Sequence, residues 1–138
     1  MSVTLRRAWS SEDETADLAL DRALFPNDEP VTIAHALWIA EDERGLPVGF
    51  CAAKNTLGYA FLLRAAVTEG ANGQGLQRRM IRVREAWARK QGAKRIITYV
   101  SHANAPSLVN LIRCGYRFYT PTTLYAGKRF HYLEKDLT

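Results

Sequence analysis

The chain has 138 residues, 47% hydrophobic and 24% charged, which suits one globular domain and excludes a disordered or fibrous chain. No apolar run approaches the ~18 residues of a membrane span. The start "MSVTLRRAWSSEDE" also lacks the apolar stretch of a secretory leader, so a cytoplasmic protein is expected, with Cys51 and Cys114 as buried thiols.

In chain order, residues 3–8 read as a first strand. Ser11 followed by Glu14 matches a capping box and opens an acidic helix that runs to about Phe25, where Pro26 stops it. Residues 31–43 begin as a helical turn and become a strand near Leu37. A turn at 43–47 leads to a partner strand at 48–55, and a second turn near Gly58 leads to an apolar strand at 59–68, covered on both faces. After a loop at 69–75, a helix runs from Gly73 or Gln74 to Gln91, with Leu76, Met80, Val83 and Trp87 as its apolar stripe and Gly92 as its C-cap. A strand at 93–100 follows, then a helix at 103–115 with Asn104 as cap, Pro106 in its first turn and Gly115 at its end. Strands at 116–121 and 129–137, joined by a loop at Ala126–Gly127, close the chain. Hairpins first and a crossover helix later predict a mixed sheet with helices packed on its faces.

The formal charge of +5 is uneven. Residues 1–30 carry seven acids and three bases, whereas residues 73–95 carry eight bases and one acid, Glu85. Such a basic stretch attracts anions, or forms a solvated helix face. It begins in "VTEGANGQGLQRRM" (67–80), a glycine-rich loop that opens a helix, and a helix N-terminus with free amides binds anions. A P-loop is excluded because Leu76 and Gln77 stand where Lys and Ser/Thr are needed. A dinucleotide fingerprint is excluded because Arg78 replaces its third glycine and Arg95 lies where its acid should be.

A third pattern fits. Val67 ends a strand, Asn72-Gly73-Gln74-Gly75-Leu76-Gln77 opens the basic helix, Asn104 and Ser107 form N-x-x-[AS], and Gly115-Tyr116 forms G-[FY]. In these features residues 59–120 resemble the GNAT-type N-acetyltransferase superfamily. The resemblance implies one GNAT-like domain over residues 1–138. It implies an α/β (α+β) fold with a mixed sheet of six to seven strands, a splayed central parallel pair and helices on both faces. It also implies an acetyl-CoA-dependent N-acetyltransferase acting on a primary amine. The pyrophosphate would rest on the backbone from Asn72 to Gln77, that is Asn72, Gly73, Gln74, Gly75, Leu76 and Gln77, with Arg78 and Arg79 neutralising it. The pantetheine arm would pair with main chain near Ala65 and Val67, with Asn104 and Ser107 on its other side. The acceptor would be a small molecule or a protein amine, with the protein a monomer or homodimer.

The pattern departs from the family at named positions. Asn72 replaces the loop arginine, Gln77 replaces a small residue, and Leu111 stands where many members carry a general-acid tyrosine. "YAFLLRAAV" (59–67) holds no acid to serve as a base. Tyr119 is therefore the candidate general acid, with Tyr125 behind it. His102 reads as an exposed loop histidine, His35 and His131 as core or rim residues, and the acids from Glu12 to Asp17 as a solvated helix face or a site for a basic acceptor. No His, Cys and acid fall at metal-ligand spacing, so no metal is expected. The alternative is a non-catalytic acyl-CoA-binding module of the same fold. Nucleic-acid binding is disfavoured, because aromatics do not interleave with the bases of 78–95.

Overall fold

The computed structural model describes residues 2–29, 35–71 and 75–138. The elements run β1 (Thr4–Arg7), α1 (Ser11–Leu24), β2 (Ala36–Glu41), β3 (Pro47–Asn55), β4 (Tyr59–Val67), a 3-10 turn (Glu69–Ala71), α2 (Leu76–Lys90), β5 (Arg95–Ser101), α3 (Ala105–Arg113), β6 (Arg117–Phe118) and β7 (Phe130–Asp136). This is the predicted order, with the 3-10 turn added. The helical turn expected at the start of 31–43 lies mainly outside the described residues. The strands hydrogen-bond in the order β1-β2-β3-β4-β5-β7-β6, a seven-stranded mixed sheet in which β4 and β5 are parallel. The chain divides into two compact units, residues 1–54 with 63–80 and residues 55–62 with 81–138.

In the first unit, β1 and β2 pair antiparallel, Thr4 opposite Glu41 through Arg7 opposite Trp38. β2 and β3 pair likewise, with Leu37 opposite Ala52 and Ile39 opposite Phe50. Side chains alternate across a strand, so Leu37, Ile39 and Ala52 share one face and Gly49 lies on the other. Ala16 of α1 packs on the first face. Met80 of α2 comes so close to Gly49 that a Cβ there would lie 3.2 Å from its terminal methyl. The two helices therefore cover opposite faces.

The start of α1 corrects the sequence reading. The cap is Ser10, not Ser11, and its partner is Asp13, not Glu14. Ser10 Oγ accepts from the Asp13 amide at 3.1 Å, and Asp13 Oδ2 accepts from the Ser10 amide at 3.4 Å. Asp13 wins because Arg6 grips the same carboxylate at 2.7 and 3.0 Å and the Trp9 amide donates to it at 3.0 Å. The Arg6 hydrogen bonds, with help from these amides, hold the Asp13 carboxyl well below the usual carboxylate range.

In the second unit, the parallel register joins Tyr59, Ala60 and Phe61 to Arg95, Ile96 and Ile97. Next along, the Thr98 hydroxyl donates to the Leu62 carbonyl at 3.2 Å. β5 pairs antiparallel with β7 along its whole length, and β6 pairs with β7. One face carries Ala60, Leu62, Ile96, Val100 and Leu133, packed against Ile81 and Ala88 of α2 and Leu111 of α3. The other face carries Tyr59, Phe61, Tyr99, Phe130 and Tyr132, which the register places side by side.

Candidate active site

The predicted site residues fall in both units. The first holds Ala65, Val67 and Gly75 through Arg79; the second holds Asn104, Ser107 and Tyr119. Asn72, Gly73 and Gln74, the centre of the expected phosphate loop, lie outside the described residues.

α2 begins at Leu76, two or three residues later than the periodicity suggested. Gly75 precedes it with φ 67°, a left-handed conformation that favours glycine, and nothing lies within 4 Å of where its Cβ would stand. The Gly75 carbonyl accepts the first helical bond, from the Arg79 amide at 3.1 Å. The amides of Leu76, Gln77 and Arg78 then have no partner within the helix, as at any helix start. Leu76 is buried and anchors the turn, while Arg78 and Arg79 are exposed. Arg79 donates to the Val3 carbonyl at 3.0 Å, which ties its guanidinium toward β1. On β4, Ala65 and Val67 are half-buried.

Asn104 does what its position before α3 suggested. Its Oδ1 accepts from the Ser107 amide at 3.3 Å, so the N-x-x-S pair is an N-cap. Leu111 is buried in the core beside Ile96 and Leu133, so that position offers no acid.

Tyr119 sits in an aromatic cluster. Its hydroxyl lies 2.9 Å from that of Tyr125, and its amide donates to the Tyr132 carbonyl at 3.0 Å. The Tyr125 ring meets Phe61, Tyr99 and Tyr132 edge-on, at centroid distances of 6.0, 6.0 and 5.0 Å. The Arg95 guanidinium lies 4.8 Å from the Tyr119 ring centre. Burial, and then the Tyr119 hydrogen bond, push the Tyr125 hydroxyl well above its ordinary value, so it keeps its proton. The Tyr132 hydroxyl donates to the Gly127 carbonyl at 2.8 Å and accepts from the Ala126 amide at 3.0 Å, pinning the loop that carries Tyr125.

His102 is exposed, and its ring lies tilted against that of His131, with centroids 4.3 Å apart. Among the described residues no cluster of three His, Cys, Asp or Glu is arranged to hold a metal ion, and no helix is long and apolar enough to cross a membrane. The basic stretch is not one solvent-facing stripe. Arg84 is buried, and Arg95 pairs with Glu134 at 2.8 Å.

Sequence reasoning missed one group. Asp17 and Asp21, taken as part of a solvated face or left aside, are both buried, and Asp21 pairs with Arg64 of β4. The available signal was spacing. Asp13, Asp17 and Asp21 recur every four residues and form one stripe of α1.

A mixed sheet with β4 and β5 parallel and a basic crossover helix opened by a left-handed glycine is the frame of an acyltransferase. The chain belongs to the acetyltransferase (GNAT) family, whose model matches residues 3–116. No curated protein matches it by sequence. Among solved structures it is similar to the ribosomal-protein-S18-alanine N-acetyltransferase of Escherichia coli, with a TM-score of 0.75, 17% identity, and 99% of this chain and 95% of that one covered. A chain in the NatC complex bound to Gag peptide and CoA gives a TM-score of 0.80 at 16% identity, with both chains covered fully (100%). Nourseothricin acetyltransferase gives 0.76 at 18%, again with 100% of each chain covered.

Proposed function

We propose that this protein is an acetyl-CoA-dependent N-acetyltransferase that moves an acetyl group to a primary amine. It works in the cytoplasm as one acyltransferase domain over residues 1–138. The observation that carries this reading is the start of α2. There the family's phosphate loop meets a helix whose first amides lack helical partners, with no side chain at Gly75 and an exposed Arg78 behind it. These features fit a diphosphate. The reading gives the pyrophosphate to the backbone from Asn72 to Gln77 and the pantetheine arm to main chain at Ala65 and Val67. It also gives Asn104 and Ser107, the N-cap pair of α3, a place on the other side of the pantetheine arm.

In the transfer, the neutral amine nitrogen attacks the thioester carbonyl, the C–S bond breaks, and the sulfur takes a proton as the amine loses one. Tyr119 supplies that proton, and Tyr125 supports it through the shared hydroxyl bond. The second reading, a binding module without turnover, draws on the buried Leu111 and the lack of an acid in β4.

Two measurements test this. Calorimetry with acetyl-CoA is expected to show binding, and absence of heat at millimolar ligand rejects both readings. Thiol release during incubation with a panel of primary amines then separates them: turnover supports the transferase, and binding without turnover supports the module.

A further inference from the structure

Tyr119 and Tyr125 both lie in the connection between β6 and β7, residues 119–129. The ends of that connection are tied down. The Tyr119 amide donates to the Tyr132 carbonyl and the Arg129 carbonyl accepts from the His102 amide, both at 3.0 Å. Between the ends the backbone bonds are local: the Tyr125 amide donates to the Thr123 carbonyl and the Gly127 amide to the Leu124 carbonyl, both at 2.9 Å. Leu124 and Tyr125 are 49% and 45% exposed, and local bonds in an exposed turn hold it weakly. One side chain from the sheet makes up the difference. Tyr132 of β7 is 6% exposed, and its hydroxyl accepts from the Ala126 amide at 3.0 Å and donates to the Gly127 carbonyl at 2.8 Å. Its ring stands between the other two, with centroids 6.5 Å from Tyr119 and 5.0 Å from Tyr125. Its proton is committed to Gly127, so it has none to offer to the reaction.

We infer that Tyr132 is a positioning residue of the transfer: by clamping Ala126 and Gly127 it keeps the Tyr125 hydroxyl on that of Tyr119. This rests on the transferase reading, with Tyr119 as its proton donor, and adds a residue to it. Tyr125 keeps its proton, so its hydroxyl donates across the 2.9 Å gap and the Tyr119 proton is left for the sulfur. As Tyr119 gives that proton up, its oxygen gains negative charge and the bond from Tyr125 strengthens. A shift of the turn by about 1 Å would forfeit that support.

The test uses the full chain and Tyr132→Phe, which keeps the ring and removes the clamp. Tyrosine labelled with carbon-13 at Cζ reports the hydroxyl pair by NMR, the Tyr125 resonance being identified by its loss in Tyr125→Phe. Tyr119→Phe should move that resonance in the otherwise wild-type chain and leave it in place in the Tyr132→Phe chain; equal movement in both overturns the inference. In turnover, with propylamine as probe, Tyr132→Phe should lower kcat about fivefold, the worth of one neutral hydrogen bond, with acetyl-CoA affinity unchanged. Added to Tyr125→Phe it should cost nothing more, because both act through one bond. Losses that multiply in the double variant mark a merely structural role and overturn the inference. Acetyl-CoA calorimetry separates the two levels: binding with multiplying losses removes this inference alone, whereas absent binding removes the transferase reading. Where propylamine is not turned over, the labelled resonance decides the clamp.

Discussion

Lys135 Nζ lies 3.1 Å from each carboxylate oxygen of Glu85 and 2.7 Å from the Cys114 carbonyl. One ammonium thus ties β7 to the middle of α2 and the end of α3. Glu85 is 1% exposed, and Arg82, its other basic neighbour, stands off at 3.7 Å. Removing one partner of a buried pair strands the other charge, which typically costs about 3–5 kcal/mol, whereas an apolar replacement of both is nearly neutral. Lys135→Met should therefore lower unfolding free energy by about that amount in urea, and adding Glu85→Leu should recover most of it. Equal stability of the single variant and the wild type refutes the assignment.

Gly49 admits no side chain. A Cβ there would stand 2.8 Å from the Ala66 carbonyl oxygen, which is backbone of β4 and cannot swing aside. Gly49→Ala should destabilise by about 1–3 kcal/mol, the usual cost of overpacking. Because Ala66 lies between the two residues assigned to pantetheine, weaker acetyl-CoA binding should accompany the loss. Chemical denaturation and calorimetry on the same preparation check both.

The stability of the protein should depend on pH through Asp17. Its carboxyl titrates at about 7 when folded, against 3.8 for an ordinary aspartate. Between these values the folded chain holds a proton that the unfolded chain has lost. The contribution is therefore fully present below about pH 4, falls as pH rises, and is gone above about pH 7. Asp13 acts in the opposite sense, since its carboxyl is held low by Arg6 and its contribution is lost as pH falls below the ordinary carboxylate value. Stability curves of wild type and Asp17→Asn should converge at low pH and separate up to neutrality, with the variant the more stable at pH 7. A constant difference across that range contradicts this.

Tyr119→Phe removes one hydroxyl of the 2.9 Å pair with Tyr125 while the ring keeps its place over Arg95 and against Tyr132. A general acid contributes typically about 10²–10⁴-fold. The expected result is a kcat lowered into that range with acetyl-CoA binding intact. Tyr125→Phe should cost less, since it acts through Tyr119. A kcat for Tyr119→Phe within twofold of wild type excludes the role.

Arg78 is exposed at the start of α2, and Arg79 is bound to Val3. Arg78→Ala should therefore weaken acetyl-CoA more than Arg79→Ala does, by about tenfold at low salt for one lost charge-assisted contact. The deficit should shrink as ionic strength rises. Titrations at two salt concentrations test this, and equal losses for the two variants would count against Arg78 as the phosphate partner.

The order of elements was legible because it rests on local physics. Alternating apolar residues marked strands, and Leu76 and Met80 marked the buried side of α2. The Pro26 and Gly92 stops fell where helices ended. The family was legible because glycines and arginines at fixed spacing are a short-range pattern. Ser11 and Glu14 read as the capping box, but Ser10 and Asp13 form it, because Arg6, reaching from β1, holds the Asp13 carboxylate. The hydroxyls of Tyr119 and Tyr125 meet because β7 lies between β5 and β6 and Tyr132 pins the loop between, an order no stretch of sequence declares.

By itself, the sequence determined the succession of strands and helices, the family motif and the basic character of α2, since each depends on residues within a turn or two of one another. The tertiary structure alone decided that Asp17 and Asp21 face inward, that Arg64 reaches one of them and not the other, and that Lys135 meets Glu85. Burial and charge pairing depend on which distant segments pack together, here 43 residues apart for Arg64 and Asp21 and 50 for Lys135 and Glu85. No local periodicity spans such a distance; only the pairing of strands brings those groups into reach.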